Sequence, residues 1–522
     1  MTSKSQIFNR KALCGNLACA FETGTVASGT GILLYKSTRN KLIAFVCTVI
    51  LIAGMKQSSM AAESPKLFAA TSGEEVVTWR AAFGTLATNN AFAVKVGGMD
   101  IDVIEIPKPT YHLVGNDAHP YYAAFFDADH EVTVKITSPV NMSRTRILPL
   151  RKCIAPYVEN DHAISFRAKP PFTVVIEPSG RHRALVIAAN TLERDAPRPD
   201  DPNVIYFGAG RHRCDKPIMI GSGQTLYLAP GAYVEGCVVG DGNNMTIRGR
   251  GILSGLPWSW LKGPNKYMCG LKGKNIVVRD VTLMSSWTWM LVFNDSEDVL
   301  VDNIKLLNGR VLNDDGIDIC SSRHVVIRNS FIRAQDDCIA PKYWCEDLVV
   351  ENCVLWTDVA NIIRIGYECT GRGHPFSNHR YCGIDVLHQA IHNDKSPDDY
   401  WINNAISIQP SNDALCEDMI FEDFAFDTAQ VQDLFLTLRT SVCRFGKKPI
   451  KQGGHARNIK FRNIRFPESR PLGSYGIWLH SVDSDHIVED IVFEDFKGVQ
   501  EFHVPVGMRG VVRNVKGLSS VK

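Results

Sequence analysis

The sequence predicts an all-β protein in which a small β-sandwich precedes a long parallel β-helix. Three observations support this fold class: short alternating strands near the N-terminus, a charged proline-rich connection, and a repeat that continues to the C-terminus. With 522 residues and 45% hydrophobic content, the chain is long enough for two or three units with cores of their own.

The first element is a short apolar run, Leu42 to Ala53, which follows three basic residues and precedes small residues around Ala61. This order is typical of a secretory signal peptide, and the run is too short to cross a bilayer comfortably. We therefore expect residues 1–61 to be a leader region, with the true translation start near residues 33–41. The mature protein is then secreted or periplasmic, without a membrane anchor.

The next region alternates short apolar strands with Pro, Gly, Asn and Asp, which predicts a small antiparallel β-sandwich over residues 62–200. Its clearest strands are Phe92–Val96, Glu131–Ile136, Phe172–Pro178 and Arg183–Asn190. The segment Leu192 to Val204 contains three prolines and many charges, as an interdomain connection does. We place the domain boundary near Asp201.

Beyond this boundary the sequence repeats an apolar-x-apolar pattern twice per unit, with Asn or Asp before the second half. The equivalent apolar positions Ile276, Val299, Val325 and Leu348 are 23, 26 and 23 residues apart. The copies are Asn275–Leu283, Asp298–Leu306, His324–Ile332, Asp347–Leu355, Asp418–Phe426 and Asn458–Phe466, with weaker ones from Asn244 and His486. A fixed period of this length indicates a solenoid.

The repeated pieces are too short for helices, and their period-2 alternation and Val/Ile content indicate strands. Short strands stacked in parallel coils form a β-helix, which we assign to residues 201–522. A leucine-rich repeat does not fit, because its Leu-x-x-Leu-x-Leu frame is missing. The gap from Leu355 to Met419 leaves room for another coil around Ile384 and for long loops on the functional face.

Two acidic pairs interrupt this apolar sequence. Asp315 and Asp336 are 21 residues apart, close to one repeat, so we expect them at corresponding places on adjacent coils, roughly 5 Å apart at the backbone. Asp337 follows directly. Crowded carboxylates raise at least one pKa and so supply a proton donor beside an ionised base, the equipment of glycoside hydrolysis.

An inverting hydrolase needs about 6.5–9.5 Å between its acid and its base. Two other interpretations of the acidic pairs remain open from spacing alone. Asp and Asn often form the turns of β-helix coils, and a calcium site also gathers carboxylates.

The cysteines are expected to be mostly buried hydrophobic residues, as at Cys320, Cys338 and Cys353. Among 15 cysteines, only Cys369 and Cys382 flank a loop in a way that makes a disulfide plausible. No CxxC pair occurs, so a structural zinc site is not expected. We assign no metal ligands and no cofactor.

The formal charge of +2, from 57 basic and 55 acidic residues, gives no overall attraction to nucleic acid or an anionic membrane. The expected partner is a polysaccharide substrate, bound by a monomer.

The frame N-x-D-G-I-D-I at Asn313 to Ile319, followed by D-D-C-I-A, resembles the polygalacturonase type of right-handed β-helix glycosidase, glycoside hydrolase family 28. The stretches LYLAPGAYVEG, TIRGRGILSG and IIRIGY with VLHQAIHN resemble family 49, the dextranases and isopullulanases, more closely. The resemblance spans roughly Phe92 to Asn393. It implies a right-handed, pectin-lyase-like solenoid after an N-terminal β-sandwich.

The resemblance also implies roles. Asp336 matches the general acid, and Asp315 and Asp337 match the carboxylates that position and deprotonate water, with inversion at the anomeric carbon. The Gly-His-Gly of polygalacturonases is replaced by Ala360-Asn361-Ile362, and their Arg-Ile-Lys clamp by Ile406 to Gln409. An α-linked glucan such as dextran or pullulan is therefore favoured over polygalacturonate.

Several residues near the acids in the chain are candidates for substrate binding, each with a structural alternative. The cations could instead pair with the aspartates, and the aromatic residues could be packed core. The substrate-binding candidates are Lys342, Asn361, Arg364, Tyr367, Trp287 and Trp401, with Trp289 and Trp344 as further aromatic platforms. Asp358 continues the spacing as a reserve acid, and His324 is expected in an exposed turn.

Three alternatives to an α-glucan hydrolase remain: a hydrolase of an anionic uronic or sulfated polysaccharide, a polysaccharide lyase, and a non-catalytic carbohydrate-binding solenoid. A lyase requires a uronate substrate, commonly with calcium and a Lys or Arg base. A binding solenoid retains its ligand when Asp336 loses its charge.

Overall fold

The computed structural model describes residues 34–36, 42–44, 67–69, 75–78, 91–110, 119–371, 373–389, 404–428, 434–440, 444–445, 448–449, 453–467, 476–497 and 511–517. The chain forms two compact units, Met1–Ala61 and Ala62–Lys522. The first contains an antiparallel pair, β1 (Leu34–Lys36) and β2 (Leu42–Ala44). Most of the predicted leader, its cleavage site and Trp401 lie outside the described residues. Among the described residues, no helix is long and apolar enough to cross a membrane.

The second unit begins with the predicted sandwich. Its strands are β3 (Leu67–Ala69), β4 (Glu75–Val77), β5 (Ala93–Val96), β6 (Met99–Ile101), β7 (Val103–Ile106), β8 (Tyr121–Ala128), β9 (Val132–Thr137), β10 (Arg146–Leu148), β11 (Tyr157–Asn160), β12 (Ala163–Ala168), β13 (Phe172–Glu177) and β14 (Leu185–Asn190). One 3-10 turn, Leu150–Lys152, follows β10.

One sheet of the sandwich has the order β10-β13-β14-β8-β4-β3, with β7 also on β8, and the other has the order β11-β12-β9-β5-β6. The two sheets share an apolar core. The prediction of a purely antiparallel sandwich is wrong in one place, because β14 pairs with β8 in parallel. The division of the chain at Asp201 stays a prediction.

The β-helix follows as one continuous sheet. Its strands are β15 (Val204–Phe207), β16 (Gly210–Arg213), β17 (Ile218–Ile220), β18 (Thr225–Leu228), β19 (Ala232–Glu235), β20 (Val238–Asp241), β21 (Met245–Gly249), β22 (Ile252–Ser254), β23 (Cys269–Lys272), β24 (Lys274–Arg279), β25 (Thr282–Met284), β26 (Leu291–Asn294), β27 (Glu297–Asp302), β28 (Lys305–Leu307), β29 (Ile317–Arg328), β30 (Phe331–Ala334), β31 (Ile339–Glu351), β32 (Val354–Thr357), β33 (Ile363–Gly366), β34 (Phe376–Gln389), β35 (Ile406–Gln409), β36 (Leu415–Phe426), β37 (Leu434–Arg439), β40 (His455–Arg465), β41 (Gly476–His480), β42 (Val488–Lys497) and β43 (Val512–Lys516). A separate antiparallel pair, β38 (Arg444–Phe445) and β39 (Lys448–Pro449), completes the list.

The predicted repeat register is confirmed. Ile276 pairs with Val299, Val299 with Val325, and Val325 with Leu348, all in parallel. The extra coil predicted around Ile384 is present as β34, which pairs with β31 on one side and β36 on the other. Val and Ile at these positions are buried and stack coil upon coil into one core.

Each complete coil places strands on three faces of the solenoid. We call the face formed by β17, β20, β23, β26, the first part of β29, the first part of β31, β33, β35, β37 and β41 the third face. The acidic pairs lie in the turns that lead into this face, just before β29 and β31.

The sandwich packs on the β-helix through an apolar cluster that contains residues of both. Ile104, Tyr121 and Val186 of the sandwich belong to the same buried cluster as Phe331 and Trp356 of the helix. Because β8 and β14 are buried on nearly their whole length, the sheet that contains them has one face in the sandwich core and the other on the helix.

The cysteine predictions are partly right. Cys320, Cys338 and Cys353 are buried within the solenoid, as expected. The prediction of a disulfide between Cys369 and Cys382 is wrong, because both thiols are free. Cys369 lies in the bridge that follows β33, whereas Cys382 pairs with strands of another face.

Candidate active site

The third face presents a row of residues that each precede a strand by two positions. From one coil to the next, the row reads Trp289, Asp315, Asp337, Asn361 and Asn404. Backbone hydrogen bonds fix the stacking, such as Gly316 N to Asp337 O at 2.8 Å. Asp315 therefore stacks on Asp337, and the prediction that it corresponds to Asp336 is off by one residue.

Asp336 lies beside this row and is the most exposed of the three carboxylates, since Asp315 and Asp337 are only 2% and 3% exposed. Its Oδ1 accepts a hydrogen bond from the Asp337 amide at 3.0 Å, and Asn313 Nδ2 lies 3.5 Å from its Oδ2. Asp336 is thus the carboxyl group that a bulky ligand can reach.

The three acids converge. One carboxylate oxygen from each of Asp315, Asp336 and Asp337 lies within 4.8 Å of the other two. These oxygens are closer than 6.5 Å, whereas the predicted separation of about 6.5–9.5 Å between the acid and base groups stays a prediction. The stacking of coils accounts for the closeness of the oxygens, because it places groups on adjacent coils about 5 Å apart.

Lys342 is the central cation of the site. Its Nζ lies 2.8 Å from Asp315 Oδ2 and 2.7 Å from Asp318 Oδ1, and 3.5 Å from the centre of the Trp289 ring. Lys342 is buried, so it holds Asp315 and is not a substrate contact. Asp318 was missed by the sequence analysis, although its place between the core residues Ile317 and Ile319 directs it to the outer side of the strand.

Arg364 is the second cation, and it is also buried. Its Nε lies 3.9 Å from Asp337 Oδ2, its NH2 donates to Gln409 Oε1 at 3.1 Å, and its guanidinium stacks over Tyr367 at 4.3 Å. Burial lowers the pKa of both Lys342 and Arg364, but the charges of the aspartates beside them, followed by that of Glu368, raise it above the usual value. Neither Glu368 nor Gln409 was among the predicted site residues.

The environments of the carboxyl groups separate their proton affinities. Burial, followed by the charges of Asp315 and Asp337, raises the pKa of Asp336 well above its usual value. Burial also raises the pKa of Asp315, but the Lys342 ammonium opposes the increase, and the result is about 6. A protonated acid beside an ionisable base is the pattern of acid–base catalysis.

Asn361 positions a carboxylate and does not face the substrate. Its backbone amide and its Nδ2 both donate to Asp337 Oδ1, at 3.1 and 2.6 Å, and its own Oδ1 accepts from Asn404 N at 2.8 Å. Asn361 is fully buried. Its predicted contact with a sugar hydroxyl is therefore wrong.

Trp287 is also core, because it is 1% exposed and its Nε1 donates to Asn265 O at 2.9 Å. Tyr367 is buried beneath Arg364. Trp289 is half-buried and stacks on Tyr267, with ring centroids 5.4 Å apart, and Trp344 is half-buried near His374. Tyr267 and Trp289 are therefore the aromatic pair next to the acids.

Two further predictions concern residues of neighbouring coils. Asp358 does not continue the acidic row, because Arg333 and Trp356 Nε1 hold its carboxylate at 3.2 and 2.9 Å. His324 is exposed, as predicted, but it lies within β29 and not in a turn.

Asp314, the first acid of its pair, is structural. It is buried, and it accepts backbone hydrogen bonds from Gly309, Arg310 and Val311 at 3.0, 2.9 and 3.3 Å and from Gln335 at 2.6 Å. It therefore closes the turn that presents Asp315, a capping role of the kind that the sequence analysis left open.

Comparisons with known proteins match the part of the chain that contains this site. Residues 243–358, which contain all three converging carboxylates, match the family model "Glycosyl hydrolases family 28". The chain is 25% identical over 217 residues to isopullulanase from Aspergillus niger, a match that covers 37% of this chain and 36% of that protein. It is 30% identical over 113 residues to a polygalacturonase from Chamaecyparis obtusa, covering 19% of this chain and 22% of that one.

Among solved structures, Dex49A from Penicillium minioluteum matches with a TM-score of 0.56 at 16% identity, covering 84% of this chain and 98% of that one. This likeness confirms the predicted fold. The sequence matches span about a third or less of the length of those two relatives. The predicted resemblance is thereby confirmed: the chain is similar to the family 49 glycosidases and related to those of family 28.

Proposed function

We propose that the protein is a secreted glycoside hydrolase that cleaves an α-linked glucan with inversion, using Asp336 as acid and Asp315 with Asp337 as base. One observation carries the proposal. A reachable carboxyl with a raised pKa lies within 4.8 Å of two buried carboxylates that other side chains hold in place.

In the proposed reaction, Asp336 donates its proton to the glycosidic oxygen as the bond from that oxygen to the anomeric carbon breaks. A water molecule held by Asp315 and Asp337 attacks the anomeric carbon, and Asp315 accepts the proton that this water loses. The leaving sugar departs as an alcohol. Lys342 and Asn361 keep the two base carboxylates in place throughout.

The charges of the site favour a neutral substrate. With Asp336 protonated as the acid, the carboxylates of Asp315, Asp337 and Glu368 still outnumber the two cations beside them, and both cations are buried and already paired. A uronate or sulfate placed here would meet repulsion without a free partner from either cation. The name of one similar protein, isopullulanase, points to an α-glucan.

A lyase mechanism is less well supported. Such an enzyme needs a neutral Lys or a free Arg as base. Burial alone would lower the pKa of Lys342, but the charges of Asp315 and Asp318 raise it well above its usual value. Lys342 is therefore a poor proton acceptor.

The first test is reducing-sugar release from dextran, pullulan, polygalacturonate and sulfated algal polymers. We expect turnover of a neutral α-glucan, and a loss of about 10²–10⁴-fold in kcat in Asp336→Asn. The control Asp298→Asn removes an exposed carboxylate from the same solenoid and should leave kcat unchanged. Turnover of anionic polymers alone would reassign the substrate, and substrate binding without product would favour a non-catalytic solenoid.

The second test is the anomeric configuration of the first product, followed by NMR. The oxygens of the acids are closer than the separation typical of inverting enzymes, about 6.5–9.5 Å. We expect a β-anomer from an α-linkage, because Asp315 and Asp337 both hold the attacking water. An α-anomer would make one of these carboxylates a nucleophile.

Export of a monomer is part of the proposal. N-terminal sequencing of the secreted protein should give a start near Ala62, and light scattering should give the mass of one chain. Retention in the cytoplasm with an intact N-terminus would contradict export.

A further inference from the structure

We propose that Asp413, His455 and His486 bind a zinc ion near the C-terminal end of the solenoid, away from the catalytic carboxylates. One ligand atom from each of these residues lies within 4.8 Å of the other two. All three residues are half-buried. The inference does not rest on the proposed catalytic function.

The backbone holds the three residues on successive coils. Asp413 N donates to Gly453 O at 2.6 Å, and His455 N donates to Ala414 O at 2.8 Å. The next coil is attached by Ala456 N to Ile487 O at 3.0 Å, directly beside His486. The positions of the three side chains are therefore set by the parallel stacking of β36, β40 and β42.

The tautomer of His486 points to a cation. Its Nδ1 lies 2.7 Å from Asp483 Oδ1, so Nδ1 carries the proton of that hydrogen bond. In the neutral ring Nε2 then presents a lone pair, and this atom lies 3.3 Å from an oxygen of Asp413. Two lone pairs at this distance repel each other unless a proton or a metal ion lies between them.

The distances favour the metal. Zinc binds imidazole nitrogen and carboxylate oxygen at about 2.0–2.2 Å, so neighbouring ligands of a tetrahedral ion are about 3.3–3.5 Å apart. The distance of 3.3 Å between His486 Nε2 and Asp413 Oδ1 matches this distance between neighbouring zinc ligands. It is longer than a good hydrogen bond. The His455 ring, 5.3 Å from the His486 ring, supplies the third ligand.

Asp483 completes the arrangement as a positioning residue. Metal-binding histidines commonly donate their other N–H to a carboxylate, which fixes the ring and strengthens the ligand. The Ile487 amide donates a long hydrogen bond of 3.5 Å to His455 Nδ1. Two imidazoles and one carboxylate suit zinc, with water as the fourth ligand.

The expected consequence is that zinc links three successive coils of the solenoid and stabilises the folded protein. The test begins with full-length protein freed of metal by a chelator and then dialysed. Zinc is titrated by calorimetry, and bound metal is counted by mass spectrometry. We expect one zinc per chain and a thermal midpoint that rises with zinc concentration.

Two variants and a matched control make the test specific. His486→Gln should weaken zinc binding at least about 100-fold, and Asp483→Asn, an exposed change outside the metal ligands, about 10–100-fold. His324→Gln removes an exposed histidine that also lies between carboxylates and should leave binding unchanged. Cobalt in place of zinc should give a tetrahedral visible spectrum.

The proposal is overturned if the protein takes up no zinc, if His486→Gln binds zinc as well as the parent, or if binding is lost in His324→Gln instead. It is also overturned if His486 remains an imidazolium in the presence of saturating zinc, as NMR of the ring would show. Zinc binding with no glycosidase activity would reject the proposed function and leave this site intact.

Discussion

At the scale of single residues, Lys342 determines how the candidate base titrates. Its ammonium opposes the effect of burial on Asp315, whose pKa is raised to about 6. The proposed mechanism requires Asp315 to be ionised, so the acid limb of the kcat/KM profile should lie near this value. The limb follows from the pairing of Lys342 with an aspartate, which the sequence left open as the alternative to substrate binding.

Replacement of Lys342 by Met should move that acid limb upward by about 1–3 pH units, because an adjacent opposite charge lowers the pKa of a carboxyl by about this amount. Activity at neutral pH falls, and part of it returns at alkaline pH. The measurement is kcat/KM against pH. The control Lys274→Met removes an exposed lysine of the same solenoid. An unchanged acid limb would show that Asp315 is not the base.

The site residues were predictable to different degrees. Asp315, Asp336 and Asp337 stood out because adjacent carboxylates are unusual in apolar β-sequence. The roles of Lys342 and Asn361 could not be read from the chain, because they depend on which coil lies beside which and on which side chains are enclosed. When both faces of a parallel strand are buried, its sequence does not show which residues point outward and which point into the core.

At the scale of elements, the strands were predictable and the loops were not. The register of the coils can be predicted from equivalent positions such as Ile276, Val299 and Val325, because each coil repeats the same apolar spacing. The loop 255–268 has no such periodicity. The structure shows it fastened beside the site, with Gly263 packed on Trp287, Leu261 N bonded to Trp287 O at 2.9 Å, and Tyr267 stacked on Trp289.

This anchored loop presents Trp260 to solvent, with 43% of the residue exposed. We expect Trp260 to stack on a sugar ring of the substrate. Trp260→Ala should then raise KM about tenfold, equivalent to a loss of about 1.4 kcal/mol, with kcat little changed. Steady-state kinetics on the preferred glucan measures both constants.

The control for the loop variant is Tyr157→Ala, which removes an aromatic residue that is 71% exposed on the sandwich. Its KM should equal that of the parent. An equal rise of KM in both variants, or none in Trp260→Ala, would reject a substrate contact at this loop.

At the scale of the whole molecule, the sandwich supports the turn that carries the acids. Tyr121 OH donates to Asn308 O at 2.8 Å, and Thr110 N donates to Arg310 O at 2.9 Å. Gly309 and Arg310 in turn donate to Asp314, directly before Asp315. The sequence predicted both the sandwich and the β-helix, but it could not predict this contact. Apolar residues on the outer face of β8 and β14 indicate that this face is covered, but not by which part of the chain.

Lys305 lies in the same contact and gives it a pH dependence. It is buried, and its Nζ bonds to Asn190 Oδ1 of the sandwich at 2.6 Å and to Asn303 O at 3.0 Å. Burial, followed by the charge of Arg250, lowers the pKa of Lys305 to about 7. Between pH 7 and its usual pKa, the unfolded chain binds a proton at Lys305 that the folded protein does not, so stability should rise with pH in this range.

Lys305→Met removes this dependence. The Tm of the variant minus that of the parent should therefore decrease between pH 7 and pH 9, because only the parent gains stability, by about 2–3 kcal/mol over those two units. Thermal unfolding in matched buffers measures the difference. Lys262→Met, at an exposed position, controls for loss of a surface charge. A difference that stays constant with pH would mean that Lys305 remains charged between the sandwich and the helix, with its partners there compensating the burial.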